Sequence, residues 1–382
     1  MTSEERREAR YHRRRAVREE KRKRLRPEHD CYEAVFSYEN LYRSYRLCRK
    51  NVAWKSSVQK YIATAPLNVY QTWVRLMQCK YKSPGFFEFD LFERGKARHI
   101  RSTVIGERVV QRCLCDNALN PMMTRTFIYD NGASLTDKGY SFSVRRIICH
   151  LQRYYRQHGS DGYILLFDFS RFFDNVSHEL LSVALRKRFT DERLIQLTEH
   201  FISMFGARGL GLGSQISQTL ALVSANRLDH FIKDECRMKY YGRYMDDGYI
   251  IHPSKAFLKQ LLAQMQKLCD ELGIVLNRKK TQIVRLRRGF SWLKIRLYLT
   301  PAGKVVRKIY KRSITVMRRK LKRLRRHLDD GLLTRDDIYN SWQSWKAYAL
   351  NFSSWRTVQS MGKLYDRLFV FEEDHDEIYQ GT

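Results

Sequence analysis

The chain has 382 residues, 43% of them hydrophobic and 13% aromatic, enough to bury a proper core and to divide into subdomains rather than stay disordered. Its 72 lysines and arginines against 40 acidic residues give a formal net charge of +32, far beyond what solubility requires, which calls for a polyanionic partner: nucleic acid first, an anionic membrane surface second. Nothing resembles an apolar run of about 18 residues or a signal-peptide core, and eight scattered cysteines without a CxxC pair or clustered histidines fit reduced thiols better than disulfides or zinc. These features exclude a membrane-spanning protein and point to a cytoplasmic one.

Residues 1–27 alternate arginine with glutamate and have almost no apolar stripe, so they read as a solvated helix or a mobile arm that Pro27 stops, and equally as an arm for nucleic-acid backbone. From Cys31 to about Gln157 apolar residues recur at helical spacing, interrupted by the β-like "FFEFDLFERGKARHIRS". In "DGYILLFDFSRFFDNVSH" a short buried-strand pattern, Tyr163 to Phe167, ends on Asp168. A helical stretch follows to about Phe205, then the glycine-rich "GARGLGLGSQISQ" and another helix over 219–238. "GRYMDDGYIIH" is a hairpin with Asp246 and Asp247 side by side, followed by a helix over 254–272 and strands near 281–299. Beyond Pro301 the chain is again basic: Met317, Leu321, Leu324 and Leu328 share one helical face, while Arg318, Arg319, Lys322, Arg323, Arg325 and Arg326 fill the others. An acidic, frayed tail closes it.

Asp168 at a strand end and the Asp246-Asp247 pair in a hairpin belong to β-segments that can neighbour one another in one sheet. Three carboxylates converging there are costly unless cations neutralise them. Oxygen-only ligands suit Mg2+, with Mn2+ as a substitute. Two such ions about 3.5–4 Å apart serve in-line phosphoryl transfer. With a basic chain, that means phosphodiester chemistry on nucleic acid. An aspartate pair by itself is more often only a turn, so the order of the surrounding motifs decides.

That order resembles the reverse transcriptases. "RYMDDGY" is similar to their active-site hairpin and "FDFSRFFD" to the motif that supplies the first aspartate, within a match from about residue 90 to 300. The resemblance implies an α+β right-hand polymerase with an antiparallel palm sheet: an N-terminal arm over 1–30, fingers over 31–160 with finger motifs at 90–146, a palm over 161–300, and a basic helical thumb with the acidic tail over 301–382. It implies catalytic Asp168, Asp246 and Asp247, all three binding two Mg2+ ions. Lys280, chosen over Lys279 in "ELGIVLNRKKTQI", would protonate the leaving pyrophosphate. "GKARHIRS" resembles the segment whose Lys96, Arg98 and Arg101 clamp the incoming triphosphate. Phe173, five residues beyond Asp168, stands where reverse transcriptases exclude a ribose 2′-hydroxyl; Phe172 is the alternative by residue type. Leu212 and Gln218 complete the nucleotide site, and Arg318, Arg319, Lys322, Arg323 and Arg326 would track the nucleic-acid backbone.

"GLGLGSQISQ" has Leu212 where most of these enzymes carry glutamine, and ends in Ser217-Gln218. That departure resembles the enzymes of diversity-generating retroelements, which are bacterial or phage-encoded. It implies error-prone copying of a dedicated non-coding or template-repeat RNA into cDNA from a primer and dNTPs, with a small accessory protein. A phage-defence or orphan bacterial reverse transcriptase is the alternative, and a non-catalytic nucleic-acid scaffold a third reading.

Overall fold

The computed structural model describes residues 2–93 and 96–369, so the acidic tail lies outside the described residues. In chain order the helices that matter are α1 (Ser3–His29), α2 (Tyr38–Cys48), α3 (Ile105–Leu114), α4 (Tyr140–His158), α5 (His178–Arg186), α6 (Glu192–Ser203), α7 (Gln215–Ser224), α8 (Lys255–Glu271), α9 (Lys311–Asp329), α10 (Arg335–Leu350) and α11 (Trp355–Phe369). The strands are β1 (Phe86–Glu93), β2 (Lys96–Thr103), β3 (Tyr163–Asp168), β4 (Tyr241–Tyr244), β5 (Asp247–His252), β6 (Gln282–Arg285), β7 (Phe290–Trp292), β8 (Ile295–Leu299) and β9 (Val305–Ile309). The architecture is α+β, as the sequence implied. β1 and β2 form an antiparallel ribbon, four strands take the order β4-β5-β3-β6, and β7-β8-β9 form an antiparallel sheet.

The chain divides into two compact units, Met1–Ser143 with Phe167–Gly248 and Gln260–Lys280, and Val144–Leu166 with Tyr249–Lys259 and Thr281–Thr382. In the second, β3 pairs antiparallel with β6 from Tyr163↔Arg285 to Leu166↔Gln282. Its helical part closes on Met317, Leu321 and Leu324 of α9 against Ile338, Trp342, Met361 and Phe369, with Leu328 packed alongside. The apolar stripe read from the sequence is therefore the inner face of α9. Arg318, Arg319, Lys322, Arg323 and Arg326 are all exposed on its other faces. β9 was not legible in the basic segment after Pro301, because Arg307 and Lys308 break up its apolar pattern; it forms by pairing with β8 from Ile295↔Ile309 to Leu299↔Val305.

In the first unit, α1 corrects the expected stop at Pro27, for the helix runs through that proline to His29. Proline removes the hydrogen bond to the carbonyl four residues back, that of Lys23, and its ring crowds that carbonyl, but both residues are exposed, so water can satisfy the freed oxygen. A capping box on Thr2 and Glu5 starts the helix. Its other end is anchored: buried Asp30 accepts hydrogen bonds from Thr190 N at 2.9 Å, Thr190 Oγ1 at 2.8 Å and Asp191 N at 3.1 Å.

Candidate active site

The site lies within the first unit, where β3 ends and the β4–β5 hairpin turns. β3 is buried from Ile164 onward because both of its faces are covered, and Asp168 at its end is itself only 3% exposed. Phe169 N donates to Asp246 O at 3.2 Å, which sets the strand end beside the hairpin turn. Gly248 permits this approach, because a side chain there would collide with the Phe167 ring.

The turn itself is a two-residue loop, Met245-Asp246, with Met245 in the left-handed region at φ 55°. Such loops need positive φ, usually supplied by glycine or asparagine, and methionine there costs about 1–3 kcal/mol. Arg243 holds it. Wholly buried, its guanidinium donates to Met245 O at 2.7 Å and grips Asp229 through Nε–Oδ1 at 2.8 Å and Nη2–Oδ2 at 2.6 Å. Tyr241 Oη donates to the same carboxylate at 2.5 Å, and the Arg243 backbone is tied to Asp130 O and Gly132 N. The hairpin turn thus hangs on a buried, hydrogen-bonded ion pair.

The charge of Asp168 acts on both Asp246 and Asp247. Burial raises the Asp246 carboxyl above its ordinary range, and the charge of Asp168 adds to this. Burial, then the charges of Asp246 and Asp168, push Asp247 up to about 7. Lys280 brings a positive charge into contact: its Nζ lies 2.5 Å from Asp168 Oδ2. Burial alone would depress this lysine, yet its pKa rises because Asp168, Asp247 and Asp246 outweigh it. Among the described residues no three acidic, histidine or cysteine side chains are grouped tightly enough to enclose an ion. The oxygen-only donor set and the surplus of negative charge nonetheless fit a divalent cation.

Asn277 was not foreseen from the sequence. Its Nδ2 donates to Asp168 Oδ1 at 3.1 Å and its backbone N to Asp168 O at 2.8 Å, while its own Oδ1 and O accept from Lys279 N and Lys280 N. One residue thereby fixes the Asp168 carboxylate and shapes the turn that presents Lys280. The only signal available was an asparagine ahead of a polar turn.

The remaining expected residues are held by neighbouring loops and strands. Phe172 is buried against Phe169, whereas Phe173 is half-buried, which separates the two alternatives by environment. Phe173 O accepts from Leu210 N at 2.8 Å, bringing in the loop that carries Leu212. Gly213 in that loop, at φ +107°, packs on the backbone of Arg101, where a Cβ would sit 3.3 Å from Arg101 O. Gln218 is exposed and accepts from Ser134 Oγ at 3.0 Å. Arg101 is engaged by Glu88, its cross-strand neighbour, at 3.0 Å, and donates to Phe205 O at 3.3 Å. Lys96 and Arg98 lie on β2, but their side chains are outside the described residues. No helix among the described residues is long and apolar enough to cross a membrane.

Comparison with known proteins adds a family. The family model described as reverse transcriptase (RNA-dependent DNA polymerase) matches residues 83–330, more than half of the chain. No curated protein sequence matches. Among solved structures, telomerase from Candida albicans in complex with a TWJ fragment of telomeric RNA is similar at TM-score 0.47 and 11% identity, covering 68% of this chain and 55% of that one. Apo telomerase from Candida tropicalis, truncated from its C-terminal domain, is similar at TM-score 0.43 and 10% identity, covering 63% and 60%. The chain therefore spans less than two thirds of the length of either telomerase chain.

Proposed function

Because the chain belongs to the reverse transcriptase (RNA-dependent DNA polymerase) family, we propose that it extends a primer 3′-hydroxyl with deoxynucleotides on an RNA template at the Asp168–Asp246–Asp247 site. The observation that carries this reading is the convergence of those carboxylates with Lys280 at the β3 end and the hairpin turn. Asp168, Asp246 and Asp247 would hold two Mg2+ ions, which supply activation of the 3′-hydroxyl and neutralisation of charge on the triphosphate. Lys280, ammonium-charged and pointed at the site, is suited to give its proton to the departing pyrophosphate. Lys96, Arg98 and Arg101 are assigned to the triphosphate; Arg101 must exchange Glu88 for it. The half-buried Phe173 ring offers a 2′-hydroxyl no acceptor and takes up its space, so the product is DNA.

Leu212 and the Ser217-Gln218 ending support the diversity-generating branch, with error-prone cDNA synthesis from a dedicated RNA in a bacterial cytoplasm and a small accessory protein. A hydrogen-bonding side chain beside the nascent base pair would check its geometry, and Leu212 has none to offer. Leu212→Gln should therefore lower misincorporation opposite template adenine; an unchanged error spectrum would remove this explanation.

The deciding experiment is primer extension by the purified protein on a defined RNA template with Mg2+, with products sequenced, against Asp246→Ala/Asp247→Ala. Extension by the wild type alone supports polymerisation, and errors concentrated at adenines select the diversity-generating branch over a defence or orphan enzyme. Equal extension by the double variant would overturn the assignment. Failure of both proteins, repeated with RNA from the native host, would favour a binding scaffold.

A further inference from the structure

α1 carries charge that the carboxylate site does not use. It is 27 residues long, about 40 Å at the standard rise. Its last third is docked: His29 Nδ1 meets Asn117 O at 2.8 Å, Arg22 Nη1 donates to Lys187 O at 3.2 Å, and Leu25 and Arg26 are half-buried beside them. Arg10, Arg13, Arg14, Lys21 and Arg24 are exposed and fall within an arc of roughly 100° whose centre lies about 120° around the helix from that of the docked residues, with Leu25 just beyond its edge. Between residues 6 and 24 every glutamate lies outside that arc. Glu19 and Glu20 form pairs along the helix with Arg22 and Arg24, at 2.6 and 3.4 Å.

A single-sign stripe along several turns of one helix meets a charge every turn or so, about 5.4 Å apart. A phosphodiester backbone presents regularly spaced charges on a comparable scale, and four of the five side chains are guanidiniums, whose forked donors match phosphate oxygens. A bilayer surface is the poorer partner, since Val17 is the lone apolar residue in the arc and offers too little to insert.

We propose that α1 is a second nucleic-acid surface, separate from the catalytic residues, which grips the phosphodiester backbone of a folded RNA. The claim does not depend on the polymerase reading, because it concerns binding alone. The test uses the full chain, a fluorescent RNA hairpin and a DNA hairpin of the same sequence, with affinity measured across a range of salt. In the variant R10A/R13A/R14A/K21A/R24A, RNA affinity should fall at least about tenfold near physiological salt, and the slope of log affinity against log salt should shrink by roughly 3–5. Extension of a short annealed primer–template should be unchanged. The charge-keeping variant R10K/R13K/R14K/R24K should retain the slope, and the reversal R14E/K21E should weaken binding more per residue changed. Parallel losses for RNA and DNA hairpins place the recognition in the backbone, and a larger loss for RNA adds its helical form. An unchanged slope in the alanine and reversal variants would overturn the proposal. So would a loss confined to vesicles of phosphatidylserine and phosphatidylcholine, which would make α1 a membrane contact.

Discussion

At the scale of single residues, Asn277 and Asp247 make separable predictions. Asn277 holds Asp168 through one oxygen while Lys280 holds it through the other. A residue that orients a metal-ligating carboxylate typically affects metal affinity by about 10–100-fold when lost. Asn277→Ala should raise the Mg2+ concentration for half-maximal extension by that order, with the rate at saturating Mg2+ largely kept. If the alanine variant only loses active protein, with an unshifted Mg2+ dependence, Asn277 is merely structural. Asp247 leads to a pH effect. A carboxyl whose pKa is raised on folding binds its proton more tightly in the folded state, so its stabilising contribution is complete below the ordinary carboxylate range. That contribution is lost as pH rises toward its folded value of about 7. Under the proposed function, a cation bound there would displace the same proton. The rise in Tm on adding millimolar Mg2+ should therefore be larger near pH 8 than near pH 5.5. Thermal melts at the two pH values check this, and an equal Mg2+ increment at both would mean that the carboxylates do not bind the ion.

At the scale of elements, the β4–β5 hairpin shows what the sequence can and cannot disclose. Its existence was legible, because the alternation around Asp246 and the strand ending on Asp168 are local patterns. The means of its support was not. Asp229 and Arg243 lie on different elements, and no local signal says that both are wholly buried against each other. Asn277 escaped for the same reason, since its role depends on which backbone β3 brings opposite it. Glu88 is a third case: the register Glu88↔Arg101 pairs an arginine that the sequence leaves looking free. Breaking a buried ion pair on one side leaves an uncompensated charge, at a cost of about 3–5 kcal/mol. Asp229→Ala should therefore destabilise the protein by that amount, measured by denaturant unfolding. The double replacement Asp229→Leu/Arg243→Met should recover much of the stability but not the activity, because Met245 then loses the donor that steadies its turn. Full activity in the double variant would show that the turn needs no such support.

At the scale of the whole molecule, the charge of +32 acts in two opposed ways. In the free protein it is a self-repulsion that works against the compact state. Bound to a polyanion, the same charges release counterions and supply affinity. Salt screens both, shrinking the Debye length from about 10 Å at 0.1 M to about 3 Å at 1 M. The opposed signs give a test that needs no mutation. Raising salt should increase the Tm of the protein alone while weakening its hold on RNA, and the RNA-bound protein should lose its added stability over the same range. The exposed basic faces of α9, at Arg318, Arg319, Lys322, Arg323 and Arg326, should account for part of both effects. Replacing those five residues by glutamine should raise the Tm at low salt and flatten its salt dependence. The same replacement should reduce the salt slope of RNA binding by about one for each phosphate contact removed. If the replacement leaves both slopes as they were, α9 is a solvated helix whose charge meets nothing, and the excess charge must act elsewhere on the chain.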